Sequence, residues 1–132
     1  TRRQRQMCIR DRICVGTSTG GIGYEVPGRV GDSPTVAGNF ANKLCGVSCT
    51  GIGEHIINEA VAATVATRVS DGVSLQNAVN RSIENGNRND YHFGLISATT
   101  AGEIRVGQTD TATVLYARND QDGVRTFLDE RG

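Results

Sequence analysis

The order of apolar patterns along the chain predicts an α+β domain in which a helix layer covers a sheet. Short β-branched runs occupy residues 13–18 and 44–50 and recur from residue 93 onward. Between them, residues 54–87 repeat their apolar positions at helical rather than strand spacing. A chain of 132 residues is long enough to bury one core, and nothing in this one suggests two.

Each element has its own signal. Ile13, Cys14 and Val15 begin a run that ends in Gly20-Gly21-Ile22-Gly23 and reads as the end of a buried strand. Residues 20–43 hold both prolines and six of the 17 glycines, so a long loop is expected, of the kind that usually carries function. Leu44-Cys45-Gly46-Val47-Ser48-Cys49-Thr50 is a second strand, and Gly51-Ile52-Gly53 a tight turn into one helix over residues 54–71. In that helix Ile57, Val61, Val65 and Val69 fall four apart, Ile56 and Ala60 widen the stripe, and Asp71-Gly72 stops it. Ser74 is placed to cap a second helix with Leu75, Ala78, Val79 and Ile83 on one face, ending at Asn85-Gly86-Asn87. Residues 93–98 and 103–107 flank a glycine-containing turn as a hairpin, and 113–117 and 124–128 supply two further strands. Both helices are expected on one face of the sheet.

The composition reads differently once the first residues are understood. Arg2, Arg3, Arg5, Arg10 and Arg12 form a basic head that ordinarily suggests a nucleic-acid arm or a transit peptide. Back-translated in one frame, however, residues 2–12 spell the transposase-tag primer used to build sequencing libraries. These residues, with Thr1, are read as translated adapter and set apart from the fold, leaving residues 13–132 as the native portion. Without the five Arg and one Asp of residues 2–12, 14 basic and 14 acidic residues become 9 and 13, a formal net charge of −4. A mildly acidic remainder gives no reason to expect a nucleic-acid partner. Three cysteines remain, an odd number at irregular spacing, which suits a reducing, cytoplasmic setting rather than a disulfide framework. No apolar run reaches the roughly 20 residues that cross a bilayer.

Three short motifs can carry chemistry. Pro27-Gly28-Arg29-Val30-Gly31-Asp32-Ser33-Pro34 sets a cation and an anion three residues apart in a glycine-containing loop. Such a pair suits an amino acid, with Arg29 taking the α-carboxylate in a fork and Asp32 the α-ammonium. A loop-bracing ion pair between the two is the plainer alternative. Thr50-Gly51-Ile52-Gly53, at a strand end leading into a helix, offers backbone N–H groups where negative charge is favoured, as an oxyanion hole requires, though an ordinary glycine turn fits the same residues. Thr17-Ser18-Thr19-Gly20-Gly21 places three hydroxyls at a strand end, which without a nucleophile nearby is a common surface feature.

Other candidates are weaker. Cys45 and Cys49 face the same way on a strand and read as core filler, and no metal-ligand spacing exists, so neither metal nor cofactor is expected. His55 and His92 stand alone, with no G-x-S-x-G elbow, and there is no phosphate-binding G-x-x-x-x-G-K-[ST]. Asn80-Arg81-Ser82 falls within an expected helix, which denies it the loop that a glycan acceptor needs.

Taken in order and spacing, the three motifs, with Leu44-Cys45-Gly46-Val47-Ser48-Cys49 before the last and Glu54 after it, resemble the β subunit of the plant-type asparaginases and isoaspartyl peptidases. The likeness continues more loosely to the last strands. The interval from Asp32 to Thr50 is slightly shorter than the family's usual loop. The resemblance implies the C-terminal half of an αββα sandwich of the N-terminal-nucleophile hydrolase type, made by autocleavage of a precursor. It further implies an N-terminal threonine nucleophile, an α subunit from the same precursor, an (αβ)2 dimer, and asparagine or a β-aspartyl dipeptide as substrate. On that pattern Arg29 and Asp32 hold the substrate's α-groups, Thr50 and Gly51 form the oxyanion hole, Gly53 shapes it, and Thr19 steadies the nucleophile. The nucleophile's position, counted back from Thr19, falls on Thr1, but Arg2-Arg3-Gln4-Arg5-Gln6 is unsuited to the buried strand that should follow. The attacking residue is therefore unassigned, and residues 13–132 are expected to be inactive alone. Glycosylasparaginase, which shares Thr17-Ser18-Thr19 and Gly28-Arg29-Val30-Gly31-Asp32-Ser33-Pro34, and a non-catalytic amino-acid binding module are the alternatives.

Overall fold

The computed structural model describes residues 7–9, 12–21 and 23–127. Strands β1 (Met7–Ile9) and β2 (Arg12–Cys14) form a small antiparallel hairpin. The main sheet contains β3 (Asn39–Ala41), β4 (Cys45–Gly51), β5 (Phe93–Thr99) and β6 (Ile104–Gln108), adjacent in that order and antiparallel throughout. Helices α1 (Gly53–Glu59), α2 (Val61–Ser70) and α3 (Leu75–Arg88) connect β4 to β5. A last hairpin pairs β7 (Tyr116–Asp120) with β8 (Gly123–Phe127), and Tyr116 stacks on Phe127 at 4.5 Å.

Alternation along the strands decides where the core lies. Cys45, Val47 and Cys49 of β4, with Phe93 and Leu95 of β5, point to one face and are buried against Ile56, Val61, Val65, Leu75 and Val79 of the helices. Both β4 cysteines, Cys45 and Cys49, fill this core as expected, and burial pushes Cys45 up to about 11. The result is the expected α+β arrangement, a helix layer on one sheet face. The opposite face, with Ile96, Ala98, Ile104 and Val106, is only half-buried.

Several boundaries differ from those the sequence suggested. The first strand ends at Cys14, and Thr17 reaches across to β4 through its hydroxyl, 3.2 Å from Ser48 Oγ, without joining the ladder. The expected loop contains β3, too short to show an alternating pattern, in register with β4 as Phe40↔Val47.

The single helix expected over residues 54–71 is two. Ala60 adopts a left-handed conformation, φ 45° and ψ 47°, which ends α1 and starts α2 in a new direction. The loop makes that restart possible, because the Ala62 and Ala63 N–H groups donate to the carbonyls of Ala37 and Val36. Ser74 caps α3 as expected, accepting from the Asn77 N–H at 3.2 Å, but Gly86 does not stop it. A Cβ there would lie 2.7 Å from the Phe93 ring, so Gly86 serves close helix–sheet packing while the helix runs on to Arg88. The strand expected at 113–117 begins only at Tyr116, since the Val114 N–H is taken by the Gln108 side chain.

Candidate active site

The turn after β4 is the centre of the site. Thr50 and Gly51 end the strand opposite Gly94 and Phe93 of β5. Gly51 has φ 135°, and a Cβ on it would lie 2.6 Å from both the His92 carbonyl oxygen and Phe93 Cα, so the position excludes any side chain. The next N–H, of Ile52, donates to that His92 carbonyl at 2.9 Å and fixes the turn. Helix α1 has only seven residues, so the dipole expected from a long helix here is smaller, and any oxyanion stabilisation rests on the local N–H and hydroxyl groups.

Gly53 seats the charged loop. A Cβ on it would lie 3.0 Å from Asp32 Oδ1 and 3.5 Å from Arg29 Nη2. The Asp32 carbonyl accepts from the Thr35 N–H at 2.9 Å and from the Thr35 hydroxyl at 2.7 Å, and the Asn39 side chain donates to the Ser33 carbonyl at 2.5 Å. These bonds tie the loop to the start of β3. Gly38 approaches Asp32 so closely that a Cβ would collide with it.

The bracing pair anticipated between Arg29 and Asp32 is replaced by another. Arg29 Nη2 donates to Glu54 Oε1 at 2.7 Å, and this bond holds the Glu54 carboxyl below its ordinary range. Asp32 moves the other way. Burial raises its pKa, and the backbone hydrogen bond and the charge of Arg29 only partly offset the effect. A half-buried carboxylate that would gain from a cation, next to an arginine already oriented by an acid, is an electrostatic frame suited to a zwitterion.

Thr19, Arg29, Asp32, Thr50, Gly51 and Gly53 all line one cleft of about 960 Å³, so the six residues singled out in the sequence are brought together. The Thr19 hydroxyl is held in place by accepting from the Gly21 N–H at 3.0 Å. The cleft also recruits His55 and His92, which the sequence left standing alone, and Asp90 and Thr111, which it did not mark. The histidines are not solitary after all, because the His92 N–H donates to His55 Nδ1 at 2.9 Å. Their separation in sequence hid the contact. Among the described residues no cluster of His, Cys, Asp or Glu is arranged to hold a metal ion, and no helix is long and apolar enough to cross a membrane.

Frame and cleft together define an α+β chain with a helix layer on one sheet face and a charged cleft suited to an amino-acid ligand. A family model described as asparaginase matches residues 9–128, and the chain belongs to that family. It is 48% identical over 98 residues to an isoaspartyl peptidase/L-asparaginase of Nostoc sp., covering 74% of this chain and 31% of that protein. A protein of the same description from Synechocystis sp. is 49% identical over 98 residues, covering 74% of this chain and 30% of that protein. A plant-type L-asparaginase of Pyrococcus abyssi is 37% identical over 121 residues, 91% of this chain and 37% of that protein. The chain thus spans about a third of the length of the curated relatives it matches.

Proposed function

We propose that the protein supplies the substrate-holding half of a hydrolase that cleaves the side-chain amide of L-asparagine and of β-aspartyl dipeptides. The observation that carries this reading is the convergence of Thr19, Arg29, Asp32, Thr50, Gly51 and Gly53 on one cleft, in a chain whose relatives are described as isoaspartyl peptidase/L-asparaginases.

In this reading Arg29 takes the substrate's α-carboxylate while Glu54 keeps the guanidinium in place, and Asp32 takes the α-ammonium. The carbonyl of the side-chain amide then lies over Thr50 and Gly51, whose hydroxyl and N–H receive the oxyanion, an effect worth about 3 kcal/mol per donor. A threonine Oγ attacks that carbonyl and gives its proton to the threonine's own α-amino group, which passes it to the leaving nitrogen as the C–N bond breaks. Ammonia or an amino acid departs, and water releases aspartate from the acyl-enzyme. Thr19 steadies the attacking hydroxyl. No cofactor or metal enters these steps.

The attacking residue lies outside the described residues, and Thr1 is not assigned to the role. We read residues 2–12 as adapter fused to the native portion, and sequencing the genomic locus across that junction tests it; a continuous native reading frame there overturns it. The remaining parts of the proposal are an α subunit cut from the same precursor, an (αβ)2 dimer and a cytoplasmic location. The decisive experiment expresses the full-length precursor and follows self-cleavage by gel and aspartate release from asparagine and β-aspartyl-leucine. A precursor that stays intact and releases aspartate from neither substrate defeats the proposal.

A further inference from the structure

The cleft has two wings, one on each side of the Thr50-Gly51-Ile52-Gly53 turn. Arg29 and Asp32 meet the turn at Gly53, and His92 meets it at Gly51, where its carbonyl oxygen stands 2.6 Å from the position a Cβ would take. The first wing recognises an amino-acid head. The second wing is built from groups to which the chemistry above gives no work.

That second wing is ordered. His55 stacks on Tyr91, ring centres 4.6 Å apart and planes within 20°, and its Nδ1 accepts the His92 N–H at 2.9 Å. Accepting at Nδ1 leaves the neutral ring's proton on Nε2, as a donor. The His92 ring is fixed in turn by its Nδ1, 3.1 Å from the Thr111 hydroxyl. Among the described residues neither Nε2 has a hydrogen-bond partner. His55 and His92 both line the cleft, and neither residue is fully exposed. Asp90 shares the wing but is exposed, where solvent screens its charge.

We infer that His92 and His55 form a subsite for the leaving group, binding the amino acid released from a β-aspartyl dipeptide through its carboxylate. The inference rests on the hydrolase reading above. A substrate whose α-groups occupy the Arg29/Asp32 wing, and whose scissile carbonyl lies over Thr50 and Gly51, directs its leaving nitrogen past Gly51 toward His92. Asparagine leaves only ammonia and reaches nothing there. A dipeptide leaves a whole residue, and its terminal carboxylate is an acceptor matched to the N–H donor at His55 Nε2 and, with the Thr111 hydroxyl donating to His92 Nδ1, to a second at His92 Nε2. The subsite thus sets the balance between the two substrates.

The test uses the autocleaved full-length enzyme and compares kcat/KM for β-aspartyl-leucine with that for asparagine. In His92→Ala the ratio of dipeptide to asparagine turnover falls by about tenfold, as loss of a hydrogen bond to a charged group implies. His92→Gln, which restores a donor near the Nε2 position, recovers part of the ratio, with the change in KM rather than kcat. If asparagine turnover persists and the ratio stays constant in His92→Ala, or if Gln behaves as Ala does, the subsite is overturned and the hydrolase reading stands. Wild-type enzyme that hydrolyses neither substrate overturns both.

Discussion

Asp32 and Gly51 show how single positions trade stability for the site. Burial holds the Asp32 carboxyl above its ordinary value, so the folded state binds a proton more tightly than the unfolded chain. Stability therefore falls as pH rises from the ordinary aspartate range through the raised value. Asp32→Asn is expected to raise Tm at neutral pH and to leave it nearly unchanged below the aspartate range, while asparagine KM rises at least about tenfold through loss of the ammonium's partner. Thermal melts at the two pH values check the first part; an equal shift at both contradicts the assigned cause. Gly51→Ala must strain the backbone and push against two main-chain atoms that cannot yield, a cost of about 1–3 kcal/mol from the backbone alone. It is expected to lower Tm and abolish turnover together, and full activity in this variant would exclude Gly51 from the oxyanion site. Much at this scale was legible in the sequence because Arg29, Asp32 and the glycine turn are local patterns. Glu54 as the partner of Arg29, and His55 as that of His92, were not, because those contacts join residues 25 and 37 positions apart through the fold.

Among the elements, the break at Ala60 does most to aim the site. It separates α1, which carries Gly53 and His55 in the cleft and Glu54 against Arg29, from α2, which packs across β3 and β4. Periodicity alone missed it, since Val61 and Val65 continue the four-residue spacing of Ile57 and alanine is the strongest helix former. Tertiary bonds override that preference: the carbonyls of Val36 and Ala37 take the first N–H groups of α2, and the left-handed residue lets the chain reach them. The same logic explains Gly86, a stop signal by composition that the sheet uses for close approach. A left-handed alanine costs about 1–2 kcal/mol, part of which glycine's greater unfolded-state freedom cancels. Ala60→Gly is therefore expected to stabilise by up to about 1 kcal/mol, read as a rise in Tm or in the denaturation midpoint. Ser74→Ala should do the opposite, losing about 1 kcal/mol with the cap of α3. If Ala60→Gly lowers Tm, the left-handed residue is not a strained point of the fold.

Across the whole molecule, the sheet is finished on one side only. Helices bury Cys45, Val47, Cys49, Phe93 and Leu95, whereas the next residues along the same strands, Ile96 and Ala98 with Val106 beside them, face a groove that the β7–β8 segment only partly fills. Continuous apolar surface of this kind marks an interface or an aggregation site, and β3 and β6 each leave a sheet edge unpaired among the described residues. Sequence periodicity could place strands and helices but not this asymmetry, because β4 and β5 place small residues, Gly46, Ser48, Gly94 and Ala98, on the open face, and these read as neither core nor surface. Residues 13–132 expressed alone are therefore expected to self-associate and to bind an apolar dye. Ile96→Lys with Val106→Lys should reduce both while leaving the helix signal in circular dichroism unchanged, because these side chains lie on the face away from the helices. Placed in the full-length precursor, the same pair of lysines should prevent autocleavage, since charges would then be buried between layers without partners, which costs several kcal/mol per ion. Sedimentation of the short chain and a cleavage gel of the precursor read the two arms. A precursor that matures normally with both lysines present would mean that the open face meets water in the assembled protein, and that the groove is a surface feature rather than the seam between two halves.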